Sequence, residues 1–341
     1  MRPRGIYNIH PYKVVETLSG RTALEHIVEI LVWKGLTTAY LPSYCCHTMI
    51  EPFLAHGMVV KFYDVTCTSK GLHRILDENE VYDTLLLMDY FGHVDDETIE
   101  IALQAKKNGK TIIYDATHAM YSEVDYWSYD FIYGSYRKWV NINCGFMAWN
   151  EELKCGEITQ NSDTSLYVSV RKKLFDYKAE YMRGEGIRKE DFLPLISEAE
   201  SILEEEYHHK MPDVCSKEVL RTTDAEFLKN RRRDNARTLT NAIIGMDDCR
   251  VCCVNPLLSN YGTALFVPVL INPSHRDALR RHLISREIYC PVHWPLTEQH
   301  VVMTGSGVLF NSELSLICDQ RYDSNDMMRI AESIREYLNK N

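Results

Sequence analysis

The chain lacks any run of eighteen consecutive apolar residues, so no segment reads as a helix long enough to cross a bilayer. Its 11 cysteines include two adjacent doublets, Cys45-Cys46 and Cys252-Cys253. That odd count and that spacing fit reduced, mostly buried thiols better than a disulfide framework or a cysteine-based zinc site. Positive charge is in deficit: a formal net charge of −10 is the wrong sign for the concentrated basic face that phosphate-backbone binding needs, so no nucleic-acid partner is expected. The one dense basic run, Lys229, Arg231, Arg232 and Arg233, lies among Asp224, Glu226 and Asp234 and reads as a solvated helix face. Met1-Arg2-Pro3-Arg4-Gly5 leads into polar residues without the apolar centre of a secretory signal, which points to the cytosol. The doublet His208-His209 stands beside Glu204, Glu205 and Glu206, but metal ligands need matched partners elsewhere, so no metal is assigned. Internal repeats and low-complexity tracts are also missing.

What is present is an ordinary globular composition, 45% apolar and 25% charged over 341 residues, enough for one large domain and one smaller one. Ser19-Gly20-Arg21-Thr22-Ala23-Leu24 reads as a turn feeding a helix with apolar residues at helical spacing. The free backbone N–H groups of such a helix start favour an anion. Strands follow at Thr38 to Pro42, Val59 to Asp64, Thr84 to Asp89 and Lys110 to Tyr114, with helices expected at Tyr44 to His56 and Asp95 to Lys107. The pattern predicts an α/β fold: a large, mostly parallel sheet with helices on both faces, its ligand beyond the carboxyl ends of the strands. After Trp149 the pattern changes to long amphipathic helices at Tyr167 to Arg183, Glu190 to His208 and Ala225 to Ile244. A mixed α+β segment closes the chain: strands at Arg250 to Val254, Ala264 to Ile271 and Leu314 to Ile317, and helices at Ser274 to Ser285 and Asn325 to Leu338. The expected domains are 1–245, large and α/β, and 246–341, smaller and α+β.

The chemistry gathers between Tyr114 and Phe146. Asp115 closes an apolar strand, Lys138 follows within the same stretch, and Ser135 precedes that lysine by three residues. These are the parts that pyridoxal 5′-phosphate demands. A buried carboxylate keeps its ring nitrogen protonated, a lysine amine bonds its aldehyde and later moves the substrate proton, and a helix start with hydroxyls holds its phosphate. Asp115, Lys138, Ser135 and the Gly20 to Thr22 turn supply one group for each need. Taken singly, Asp115 reads equally as a helix cap, Lys138 as a surface charge and Ser135 as a turn residue.

With these motifs in order, the sequence resembles the DegT/StrS type of fold-type-I aminotransferases, most of which transfer an amino group from glutamate or glutamine to a keto-sugar nucleotide. Ser19 to Leu24 looks like the family's phosphate-binding turn, Leu41-Pro42-Ser43-Tyr44 like its strand-to-helix passage past the cofactor, and Tyr90-Phe91-Gly92 like the loop before its aspartate strand. Asp115-Ala116-Thr117-His118-Ala119 is similar to its Asp-x-x-His variant, and Ile288 to Leu296 and Glu313 to Tyr322 resemble its small-domain signatures. The resemblance implies that Lys138 is catalytic and bonds pyridoxal 5′-phosphate, that Asp115 pairs with the ring nitrogen, and that His118 lies beside the ring. It further implies that Ser135, Gly20, Arg21 and Thr22 hold the phosphate and that His293 faces the substrate pocket from the small domain. His293 reads equally as a histidine packed among Val292, Trp294 and Pro295. An aromatic residue that commonly stacks on the ring aligns near Cys46, which leaves Tyr44 or His47 for that place. The Ser135 to Lys138 step is shorter than the family's usual one, and Asn143-Cys144-Gly145-Phe146 stands where many members have a glycine-rich stretch. The implied protein is a homodimeric aminotransferase taking a small-molecule amino donor and a keto acceptor. A dehydratase or lyase on the same fold, or a non-catalytic cofactor-binding relative, remains open at this level.

Overall fold

The computed structural model describes residues 12–68, 71–155, 158–252 and 262–340. In chain order the elements are β1 (Tyr12–Thr17), α1 (Gly20–Trp33), β2 (Thr38–Pro42), α2 (Glu51–Ala55), β3 (Val59–Thr68), β4 (Gly71–Ile75), β5 (Thr84–Met88), α3 (Asp96–Lys107), β6 (Thr111–Asp115), β7 (Phe131–Ser135) and β8 (Gly145–Asn150). They continue with α4 (Ser165–Arg183), α5 (Lys189–Glu206), α6 (Val214–Thr222), α7 (Ala225–Ile243), β9 (Cys249–Val251), β10 (Phe266–Ile271), α8 (Pro273–Ser285), α9 (Thr304–Ser312), β11 (Glu313–Ile317) and α10 (Ser324–Leu338).

The first eight strands form one sheet in the order β1-β8-β7-β6-β5-β2-β3-β4. Its centre, from β7 through β3, is parallel, while β8 and β1 close one edge and β4 the other in antiparallel pairing. The central strands are apolar because helices cover both faces: every residue of β5 and β7 is buried. Capping sets where α3 begins. The Asp95 carboxylate accepts from the Thr98 N–H at 3.0 Å, Asp96 and Glu97 occupy the first turn, and Lys106 and Lys107 the last, each sign matched to the helix dipole. This is the expected α/β architecture, with a small antiparallel sheet, β11-β10-β9, in the C-terminal part.

Three expectations change. Tyr44 to His56 is not one helix: a single 3-10 turn at His47–Met49 precedes the short α2. A helix begun at Tyr44 would carry Pro52 in its interior, where proline has no N–H to donate; instead Pro52 sits in the first turn of α2. The basic run on α7 is not uniformly solvated. Arg232 is buried, donates to the carbonyls of Ala264 and Leu265 at 3.2 and 3.0 Å, and lies over the Trp139 ring. Finally, Ala236, Leu239 and Ile243 of α7 pack into the cluster that includes Val267, Val269, Leu314 and Ile334. Packing therefore groups α7 with the C-terminal sheet, and the expected boundary near residue 246 falls between a helix and the sheet it covers. The expected strand from Arg250 to Val254 is seen through Val251, and residues 253 and 254 lie outside the described residues.

Candidate active site

The carboxyl ends of β6 and β7 meet the start of α1 at a cavity of about 400 Å³, within the usual size range of small-molecule sites. Asp115 ends β6 and is buried. Its carboxylate accepts from the Thr117 N–H at 2.8 Å and from the Tyr133 hydroxyl at 2.9 Å. Burial raises the Asp115 carboxyl above its ordinary pKa, against the pull of these two hydrogen bonds and of Lys138. Among the described residues no cationic side chain forms an ion pair with it.

β7 ends at Ser135 and passes at once into a 3-10 turn, Tyr136–Lys138. That tight turn is what brings Lys138 to the cavity across only three residues. Lys138 is exposed to the cavity itself, whereas the surrounding protein lowers its ammonium pKa by burial, with Arg137 adding to the effect and Cys46, Glu200 and Asp115 opposing it. Arg137 is held by a bidentate pair to Glu200 of α5, at 2.8 and 3.3 Å.

The anion end is built from α1. Ser19 caps the helix, its Oγ accepting the Thr22 N–H at 3.1 Å, and the first turn contains no acidic residue to neutralise the helix start. The N–H groups of Gly20 and Arg21 have no partner within the helix by geometry. Two glycines make the close packing. A Cβ on Gly20 would stand 3.1 Å from the Ser135 Cβ, and one on Gly145 would reach within 2.4 Å of the Ser19 carbonyl carbon. Ser135 Oγ, buried and facing this cradle, has no hydrogen-bond partner among the described residues.

His118 forms another wall. Its Nδ1 accepts from the Phe91 N–H at 3.3 Å, its ring stacks on Trp294 at 5.6 Å, and burial, followed by the charges of His293 and Lys138, lowers its pKa well below the ordinary histidine value. The ring is therefore neutral near pH 7.

Of the residues expected at the site, Lys138, Asp115, His118, Ser135, Gly20 and Arg21 line this one cavity. Thr22 does not: its hydroxyl donates to the Tyr207 carbonyl at 2.9 Å and so ties α1 to the end of α5. Tyr44 also lies behind the wall, fully buried against Tyr90, Trp294 and Phe310 with its hydroxyl unpartnered. His47 reaches the cavity in its place, as does Cys46. His293 is one layer back, with its Nδ1 2.8 Å from Ser315 Oγ and its ring edge-on to His118 and Trp294. Burial and the Lys138 charge push its pKa down to about 3.

Sequence reasoning missed Tyr133, Trp294, Arg137 and Glu200. Tyr133 was legible in principle, since alternation along β7 puts it on the face of Ser135. Glu200 was not, because nothing local says that α5 crosses the cavity. A larger depression of about 590 Å³ lies on the C-terminal part around Ile244, Asp248 and Arg250, but none of its lining side chains carries a buried unpartnered polar atom.

No family model matches the sequence, and no curated protein matches it. Solved structures do. A DegT DnrJ EryC1 StrS aminotransferase from Brucella abortus is similar with a TM-score of 0.62 at 17% identity, over 95% of this chain and 85% of that one. DesI, solved in the presence of its TDP-sugar product, is similar with a TM-score of 0.64 at 16% identity, over 95% of this chain and 80% of the other. NtdA from Bacillus subtilis, solved with bound cofactor PMP, is similar with a TM-score of 0.65 at 13% identity, over 96% of this chain and 73% of the other. At such identities the likeness establishes the fold, which this chain shares with them over nearly its full length.

Proposed function

We propose that the protein is a pyridoxal-phosphate-dependent aminotransferase that moves an amino group from glutamate or glutamine to a keto acceptor, with a keto-sugar nucleotide as the acceptor class. The observation that carries this reading is the convergence of Lys138, Asp115 and the partnerless Ser135 Oγ on one cavity at the start of α1. The residues fit the cofactor at each end. The Gly20–Arg21 helix start and Ser135 would hold its phosphate, Asp115 its protonated ring nitrogen, and His118 would lie beside the ring. When bound, pyridoxal phosphate supplies an aldehyde that takes up the amino group and a ring that accepts electron density.

The protein's own part is proton handling and placement. The lowered pKa of Lys138 enlarges its neutral fraction, so its Nζ could take the proton from the donor's α-carbon and hold it within the cavity. Tyr133 and Thr117 orient Asp115. Neutral His118 adds a flat polar wall without placing a second positive charge beside the lysine. Arg137, aligned by Glu200, is the cation nearest Lys138 in sequence and suits a donor carboxylate. DesI's TDP-sugar product and NtdA's PMP support the acceptor class and the cofactor by likeness of fold. No helix of the described residues is long and apolar enough to cross a membrane, and the reading is completed by a homodimer acting in the cytosol.

The test is the first half-reaction. Purified protein loaded with pyridoxal phosphate, given glutamate or glutamine without acceptor, should convert its cofactor absorbance to the pyridoxamine form. A holoenzyme that instead releases ammonia or a cleaved product from the donor, or leaves the spectrum unchanged with every amino acid, contradicts transamination.

A further inference from the structure

The sequence left His208-His209 without metal partners, and the fold supplies them. Glu25, His26 and Glu29 lie within two turns of α1, with Glu25 and Glu29 at the i, i+4 spacing that places both on one helix face. The chain leaving α5 brings His208 and His209 onto that face. His209 Nε2 lies 3.0 Å from Glu29 Oε1, and His26 Nδ1 lies 3.5 Å from Glu29 Oε2. The rings of His26 and His209 meet edge-on at 4.9 Å between centroids. His208 Nδ1 pairs with Glu25 Oε1, and His56, just after α2, has its Nε2 3.9 Å from the same oxygen.

Two trios, His26-Glu29-His209 and Glu25-Glu29-His56, each have their candidate ligand atoms within 4.8 Å of one another. Ligands around a tetrahedral zinc ion, at bond lengths of about 2.0 Å, stand roughly 3.3 Å apart, so modest side-chain movement closes either set. The independent sign of a ligand is burial without satisfaction. Glu25 is 2% exposed and His26 3% exposed, yet Glu25 Oε2 and His26 Nε2 have no hydrogen-bond partner among the described residues. A buried carboxylate oxygen and a buried imidazole nitrogen left unpaired cost free energy that a bound cation would recover.

We propose that this cluster is a divalent transition-metal site, of the zinc class, built on His26, Glu29 and His209 with Glu25 beside them. Two imidazoles and a carboxylate form a nitrogen–oxygen set that suits zinc, cobalt or nickel, whereas magnesium and calcium take all-oxygen shells. The ion is structural. It clamps the loop after α5 to α1, the helix whose first turn forms the anion cradle, and it reinforces the Thr22–Tyr207 bond that joins the same two elements. None of the three principal ligands lines the cavity around Lys138, so the site stands whether or not the transaminase reading holds.

The experiment uses the pyridoxal-phosphate-loaded full chain, stripped with a chelator and dialysed. Calorimetric titration with zinc chloride should give one ion per chain, and zinc should raise the thermal unfolding midpoint. Cobalt in its place should give visible d–d bands without the near-ultraviolet charge transfer of thiolate ligands, which separates this cluster from the cysteines. His209 has a φ of +53°, a region that asparagine tolerates well, so His209→Asn is the variant that keeps the backbone, with Glu29→Gln as the second. Each should weaken zinc binding by tenfold or more and abolish the thermal shift, while His282→Gln, remote from the cluster, leaves both intact. Absence of saturable binding, a thiolate band, or zinc affinity unchanged in both His209→Asn and Glu29→Gln overturns the proposal.

Discussion

Two aspartates end neighbouring strands of the sheet and receive opposite treatment. Met88 pairs with Asp115 in register, so Asp89 projects to the other face, the face of Tyr114. There it meets Arg74, whose Nη2 donates to it at 3.0 Å, together with the hydroxyls of Thr98 and Tyr114 at 2.7 and 2.8 Å. Arg74 also binds Asp95 and Glu97. Asp115, on the cavity face, has hydrogen bonds but, among the described residues, no ion pair. Asp89 is thus neutralised by a protein cation and Asp115 is not, and on the proposed reading Asp115 would pair with the cofactor's protonated ring nitrogen. The same contrast recurs in the adjacent thiols. Burial raises the Cys45 pKa well above its ordinary value, whereas Cys46, facing the cavity, is pushed down to about 7: burial opposes the change, but His47, Thr48 and Lys138 outweigh it.

Breaking the open side should abolish function and spare the fold. Lys138→Ala should lower transamination by at least about 10³-fold, the scale of losing both covalent and proton-transfer roles, with far-ultraviolet circular dichroism unchanged. Breaking the closed side should do the reverse. Arg74→Met strands Asp89 and should cost about 3–5 kcal/mol in denaturant unfolding. Asp115→Asn, by contrast, should leave the stability of the cofactor-free protein equal or higher while weakening cofactor binding by tenfold or more in fluorescence titration. Equal stability losses in these two variants would erase the distinction.

The thiols sharpen the comparison at smaller scale. Iodoacetamide should label Cys46 and leave Cys45 unlabelled, because only the thiolate reacts. A lowered pKa means that the thiolate persists down to about 7, so labelling should rise through that pH and level off above it. Pyridoxal phosphate should protect Cys46, and peptide mapping checks each point. The smallest effect is expected at Tyr44→Phe. Its hydroxyl has no partner, so unfolding free energy should shift by less than about 0.5 kcal/mol or rise slightly, and cofactor affinity should not change.

How much of this was legible follows from what is local. β2, β5 and β6 could be read because buried parallel strands are unbroken apolar runs ended by Pro42, Asp89 and Asp115. α3 announced itself through Asp95 and its charged ends. Lys138, Asp115 and Ser135 could be expected at one cavity, where they lie, because order along the chain maps onto order along the sheet edge. Tyr44 went to the core because proline interrupts the helix expected after it and Trp294 fills the space in front. Glu200 and Trp294 reach the cavity, and the partners of His209 are assembled, through contacts between residues far apart in sequence, which no local periodicity encodes.

The central claim is that Lys138 is the residue that bonds the cofactor. Borohydride reduction of the protein loaded with pyridoxal phosphate, followed by digestion and mass mapping, tests it directly. The account predicts a stable phosphopyridoxyl label on the peptide containing Lys138 and no label in Lys138→Ala. A label on any other lysine, or none with the cofactor supplied in excess, would contradict it.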